Sequence, residues 1–165
     1  MTPHVEAVGI TKHYDSVHAL DRVSVAASLG QVTTIVGVNG AGKTTLLKIL
    51  AGLIALTSGA VRVHGRECDQ DELRSHCTMV FQRSVMLGGS VYDNVAYGLR
   101  INRTPGSEIT EGAQAALTVV NLDGFEKRKA RRLSSGEQQR VAIARALALD
   151  RELSLIPISE PTRPY

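Results

Sequence analysis

The chain has 165 residues, 43% of them hydrophobic and 21% charged, which suits one domain with a packed core and excludes wholesale disorder. A formal net charge of +3 is mildly basic and only weak evidence for any partner, nucleic acid included, whereas an aromatic content of 4% argues against a base-stacking platform. No apolar run reaches the roughly 20 residues of a membrane span, and residues 1–10 lack the layout of a signal peptide. Cys68 and Cys77 fit neither a metal site nor a disulfide framework. Composition therefore predicts a single intracellular globular domain.

Strands and helices are predicted to alternate along most of the chain, from the period of the apolar residues. The predicted strands are 5–10, 18–25, 32–36, 60–64 and 77–81, and the predicted helices are a helix from Lys43 onward, 71–75, 90–99, 108–120 and 136–149. Alternation of this kind is typical of a mostly parallel sheet, but the first two strands have no helix between them and are expected to pair antiparallel. The fold prediction is therefore a mixed α/β domain. The basic run 127–132 is interpreted as a solvated face in preference to a phosphate or membrane-surface site.

A glycine-rich loop lies between the β-branched run 32–36 and the helix that begins at Lys43. It reads Gly37-Val38-Asn39-Gly40-Ala41-Gly42-Lys43-Thr44 and matches G-x-x-x-x-G-K-[ST] in full. Glycines let backbone N–H groups in such a loop point at phosphate oxygens, and the helix start adds its positive dipole end. We expect Lys43 to reach the β- and γ-phosphates, Thr44 to offer its hydroxyl to Mg²⁺, and Thr45 to donate a further hydrogen bond. The motif predicts a nucleoside triphosphate site, and we call residues 37–44 the phosphate loop.

A second motif opens the last predicted helix and reads Leu133-Ser134-Ser135-Gly136-Glu137-Gln138-Gln139-Arg140. Serine side chains here can cap the helix, and N–H groups at a helix start bind anions. Together with the phosphate loop, this motif makes the chain resemble the ATP-binding cassette (ABC) family, the ATPase subunits of ABC transporters. That family usually carries L-S-G-G-Q, so Ser135 stands for the first Gly and Glu137 for the Gln.

The resemblance covers residues 5–150 and implies a P-loop ATPase domain with a mixed sheet, flanking helices and a helical subdomain. It implies ATP and Mg²⁺ as cofactors and a head-to-tail dimer with a second ATPase subunit. In that dimer the signature segment (Ser134, Ser135, Gly136 and Glu137) contacts the ATP held by the partner. The resemblance also implies that Tyr14 stacks on adenine and that Gln82 contacts Mg²⁺ and the attacking water, with Lys43 and Gln82 as catalytic residues. By residue type alone, Tyr14 fits a half-buried packing residue equally well.

Residues 88–99 resemble the segment that follows the glutamine in bacterial importers, and Val85-Met86-Leu87 resembles importers of oxyanions such as tungstate or phosphate. The resemblance implies transmembrane permease subunits, which dock on this segment, and indirectly a substrate-binding protein. It implies no nucleic acid, and it places the chain at the cytoplasmic face of the cell membrane. Two alternatives stay open at this point: a soluble non-transport ABC ATPase and an ATP-binding fragment with no function in the cell.

The family pattern breaks off after the predicted helix 136–149. We expect an apolar strand ending in Asp-Glu, the metal-holding and general-base residues of the family, but the chain reads Ser159-Glu160-Pro161-Thr162 after Pro157. None of the five histidines lies beyond His76, so a switch histidine is also missing. The predicted domains are therefore a partial ATPase domain at 1–152 and a tail at 153–165 that is unlike the family. That tail is either not native protein or part of a degenerate subunit, and in both cases we expect impaired ATP hydrolysis.

Overall fold

A four-stranded antiparallel sheet builds much of the first part of the chain in this computed structural model, which describes residues 4–81, 84–151 and 153–157. The strand order is β2-β1-β3-β4, with β1 at Val5–Tyr14, β2 at Val17–Ala27, β3 at Ser58–Val63 and β4 at Arg66–Glu67. β1 and β2 pair antiparallel, as the sequence predicts, with Val5 opposite Ala27 and Tyr14 opposite Val17. Every ladder of this sheet is antiparallel, so the expectation of mostly parallel pairing is wrong for it. Short hairpin connections produce antiparallel neighbours, whereas parallel ones need crossovers.

Three helices and a short strand complete the elements up to residue 101. Helix α1 is Lys43–Leu50, helix α2 is Gln70–His76, strand β5 is Cys77–Met79 and helix α3 is Val91–Ile101. Asp69 and Ser90 cap α2 and α3 through capping boxes, as their residue types favour. The predicted helix 71–75 and the Ser90 cap with Asp93 in the first turn are therefore confirmed, and the predicted strand 77–81 is confirmed only as far as Met79.

The predicted strand 32–36 is wrong. Residues 31–38 have no regular secondary structure, and the side chains of Val32 and Val36 are 96% and 80% exposed. None of the described strands pairs with this run, so its β-branched side chains find no sheet surface on which to pack. Strand formation depends on partners far away in sequence, which the local pattern does not contain.

The remaining described elements are two α-helices, one turn of 3-10 helix and a short strand: α4 at Gly106–Val119, the 3-10 turn at Ala130–Arg132, α5 at Ser135–Leu147 and β6 at Leu153–Leu155. Helices α4 and α5 confirm the predicted helices 108–120 and 136–149 to within two residues at every end. The run 127–132 is exposed except for Ala130, which is fully buried, and its interpretation as a solvated face in preference to a phosphate or membrane-surface site stays a prediction.

The chain divides after Met79 into two compact units, each with its own core. The first core is built by residues of β1, β3, α1 and α2, such as Ile10, Val61, Ile49 and Leu73. In the second unit α3, α4 and α5 pack on one another. Their shared core includes Val91, Val95, Leu117, Val141 and Ala144. The second unit is the helical subdomain that the resemblance predicts.

Candidate nucleotide-binding site

The phosphate loop joins the irregular run 31–38 to helix α1. Gly42 is the N-cap of α1 and adopts the left-handed conformation at φ 81° and ψ 3°. A Cβ at this position would lie 2.4 Å from the carbonyl oxygen of Ala19 and 2.7 Å from Cδ2 of Leu20. Glycine is therefore required at position 42 both by the backbone conformation and by the close approach of β2.

The N-terminus of α1 is prepared for an anion. Gly42 has no side chain with which to cap the helix, no side-chain cap is present, and the first turn contains no acidic residue. The helix start thus keeps its positive dipole end without a carboxylate to offset it. Thr44 lies exposed and Thr45 partly exposed in this first turn, so the Thr44 hydroxyl is open to a ligand. These features fit the triphosphate that the motif predicts.

Lys43 is directed back over the loop that precedes it. Its Nζ donates a hydrogen bond to the carbonyl oxygen of Val38 at 2.8 Å and another to that of Gly37. The ammonium group is therefore held at the loop by backbone carbonyls, and its contact with the β- and γ-phosphates stays a prediction. A cation at this position supplies the charge that phosphate oxygens require.

Tyr14 is the last residue of β1, and 44% of its surface is exposed. Lys12 Nζ lies 4.8 Å from the centre of its ring, which is cation–π distance. Within the described residues, no hydrogen bond, ion pair or ring contact joins Tyr14 to the phosphate loop. The ring is available for stacking, and its predicted role on adenine stays a prediction. Gln82, the other residue placed by the resemblance in the site, lies outside the described residues.

The signature segment starts helix α5 with Ser134 as N-cap. The Ser134 hydroxyl and N–H donate to Glu137 Oε2 at 2.7 and 2.8 Å, and the Glu137 N–H donates back to the hydroxyl at 3.4 Å. The hydrogen bonds donated to the Glu137 carboxyl lower its pKa below the usual value, and the one from the Ser134 hydroxyl has the larger effect. The capping box engages the N–H of Glu137 but not those of Ser135 and Gly136.

The N-termini of helices α1 and α5 therefore differ in charge. α1 starts without a carboxylate, whereas α5 starts with the ionised Glu137 in its first turn. A negative group at a helix start stabilises the helix, but it also opposes the approach of a second anion. The sequence predicts free N–H groups at the start of α5, and the structure shows that one of them is already satisfied by Ser134.

Two residues that the motifs do not single out shape the second unit. Asn94 is fully buried in α3, and Arg145 of α5 donates to its side-chain oxygen at 3.1 Å. Asn94 lies three residues after the buried Val91, on the same face of the predicted helix. A polar amide on an apolar helix face was the sequence signal that could have identified Asn94 as a buried hydrogen-bonding residue.

The comparisons with known proteins establish the family of the chain. The model of the family described as ABC transporter matches residues 20–162, so the chain belongs to the ABC transporter family. The chain is similar to the spermidine/putrescine import ATP-binding protein PotA of Bacteroides fragilis, at 36% identity over 92% of this chain and 33% of that protein. It is also similar to the sulfate/thiosulfate import ATP-binding protein CysA of Nocardia farcinica, at 40% identity over 88% of this chain and 44% of that protein.

A solved structure supports the fold. The chain matches cbiO1 of Clostridium perfringens, part of the ABC transporter complex cbiONQ, with a TM-score of 0.85 and 27% identity over 93% of this chain and 64% of that one. The predicted ABC ATPase fold and the resemblance to import ATP-binding subunits are both confirmed. The chain spans between a third and a half of the length of the two curated relatives. Within the described residues, no helix is both long and apolar enough to cross a bilayer.

Proposed function

We propose that this chain is the ATP-binding part of an ABC importer's ATPase subunit. The observation that carries the proposal is the start of α1, where an uncapped helix without acidic residues meets a glycine-rich loop and the ammonium group of Lys43. This arrangement suits the phosphates of a nucleotide. The relatives named as import proteins favour import over a soluble non-transport role.

Within this proposal the chain's residues bind and orient the nucleotide. Loop N–H groups and the α1 N-terminus hold the phosphates, and Lys43 adds a positive charge. Mg²⁺ would neutralise phosphate charge when bound, and Thr44 offers it one hydroxyl oxygen. No group of three or more His, Cys, Asp or Glu residues among the described residues could hold a metal ion. The exposed Thr44 hydroxyl at the start of α1 fits Mg²⁺, which keeps several waters and binds through phosphates and few protein ligands.

The partners follow from the same proposal. The signature segment of one subunit contacts ATP bound to the second subunit in a head-to-tail dimer, with permease subunits and, through them, a substrate-binding protein completing the transporter. The ATPase lies at the cytoplasmic face of the membrane. Oxyanion transport stays a prediction, because one relative is named for sulfate and thiosulfate and the other for spermidine and putrescine.

Nucleotide binding by the chain itself tests the proposal. We expect isothermal titration calorimetry with MgATP to detect binding, and Lys43→Ala to weaken it at least about tenfold, because a charge-assisted contact is lost. Lys48→Ala is the matched control, since Lys48 lies in the last turn of the same helix. Absence of binding, or an equal loss in both variants, would contradict the proposal.

Hydrolysis is tested separately by phosphate release. Position 159 is a serine where the family carries a metal-holding aspartate, so we expect the chain to bind ATP without turning it over. Turnover that disappears only in Lys43→Ala would show that this expectation is wrong.

A further inference from the structure

The segment 84–87 follows Gln82 and Arg83 in the chain and has no regular secondary structure. Side chains from outside the segment hold its backbone and side chains in place. Ser84 Oγ donates to Gln139 Oε1 at 2.5 Å, and Arg131 Nε donates to the Met86 carbonyl oxygen at 3.2 Å. The segment is therefore shaped by tertiary contacts, one of which comes from α5.

Asn94 binds both backbone groups of Leu87. Its Oδ1 accepts a hydrogen bond from the Leu87 N–H at 2.8 Å, and its Nδ2 donates to the Leu87 carbonyl oxygen at 3.3 Å and to that of Ser90 at 2.9 Å. The side chain is fully buried, so these bonds form where water does not compete for them. Asn94 thus satisfies both the N–H and the carbonyl group of Leu87, as a residue of a neighbouring strand would in a sheet.

Arg145 connects this arrangement to α5. Its Nη2 donates to Asn94 Oδ1 at 3.1 Å and to the Val85 carbonyl oxygen at 3.2 Å. Burial lowers the pKa of Arg145, and its Nε is buried with no hydrogen-bond partner in the part of the chain that is described. No carboxylate of the described residues forms an ion pair with Arg145. A half-buried guanidinium without a counter-ion is costly, so its contacts to two carbonyl oxygens are its main compensation.

Val85 combines a fixed backbone with an exposed side chain. Val85 is 73% exposed although its carbonyl oxygen is bound by Arg145. Its backbone is thus fixed from the α5 side while its side chain faces outward.

We propose that Arg145 and Asn94 are positioning residues that make segment 84–87 move together with helix α5. This inference rests on the proposed function, in which the start of α5 faces a nucleotide and the residues after Gln82 lie beside the permease.

Amide hydrogen exchange on the whole chain without nucleotide tests the inference, with the Leu87 amide as the reporter and the Val141 amide as the internal reference. We expect Arg145→Met to accelerate exchange at Leu87 about tenfold relative to Val141, the effect of losing roughly one hydrogen bond. Arg132→Met is the matched control, because Arg132 is an exposed arginine that precedes α5, and it should change neither amide. Should Arg145→Met fail to fold, Arg145→Lys keeps the charge and the stem and is expected to show a smaller acceleration of the same kind.

The coupling itself is measured by combining this change with Ser134→Ala, which removes the cap at the other end of α5. We expect Ser134→Ala to speed exchange at Leu87 in the wild-type background and to have a smaller effect in Arg145→Met, where, among the described residues, only the Ser84–Gln139 hydrogen bond still joins the segment to α5. Equal acceleration at Leu87 and Val141 in Arg145→Met, or the same response to Ser134→Ala in both backgrounds, would overturn the proposal. Because no nucleotide is present, this failure is distinct from a failure of ATP binding.

Discussion

Gly42 is constrained both by its left-handed backbone conformation and by the close approach of β2, and its replacement by alanine violates both constraints. A non-glycine residue in the left-handed region costs about 1–2 kcal/mol. The new Cβ would also lie 2.4 Å from the Ala19 carbonyl oxygen and 2.7 Å from Leu20 Cδ2, so backbone must move. Overpacking of this kind costs about 1–3 kcal/mol. We expect Gly42→Ala to lower the free energy of unfolding by about 2–5 kcal/mol in total and to weaken MgATP binding, because α1 and the loop are displaced.

Gly40→Ala is the matched control in the same loop. Gly40 has φ +84°, but nothing lies within 4 Å of a Cβ built there, so only the conformational cost of about 1–2 kcal/mol applies. Urea unfolding followed by circular dichroism measures both variants. Equal losses in Gly42→Ala and Gly40→Ala would refute the argument that the close approach of β2 dictates glycine at position 42.

Two further predictions concern the second unit. Glu137→Gln removes a carboxylate whose pKa is lowered by folding, so the wild type should be the more stable protein at neutral pH. Its advantage should shrink as the pH falls from the usual glutamate pKa through the lower pKa of the folded state. Urea unfolding from pH 7 to pH 3 measures this, and a difference that does not depend on pH would contradict it. Leu117→Ala should cost about 2–5 kcal/mol because the side chain is fully buried, whereas Val119→Ala on the same helix, 69% exposed, should change stability by less than about 0.5 kcal/mol. Equal losses for the two α4 variants, in the same urea experiment, would show that burial does not govern them.

The sequence by itself determined the phosphate loop, the caps and the family. The glycines, Lys43 and Thr44 form one continuous motif, and the Ser134 and Ser90 capping boxes involve residues three positions apart. Interactions between residues only a few positions apart depend on the local sequence alone, so they can be predicted from it. The amphipathic helices of the second unit were predictable for the same reason, since a helix face repeats within a few residues.

Only the tertiary structure decided what depends on distant partners. The run 32–36 has the composition of a buried strand but lacks a pairing strand among the described residues, and it is exposed. Gly42 is required partly because Ala19 of β2 lies against it, and Arg145 meets Asn94 and Val85 from another helix. These contacts join residues that are far apart in the chain, and no local pattern records them, because the free energy of burial and hydrogen bonding is set by which surfaces meet.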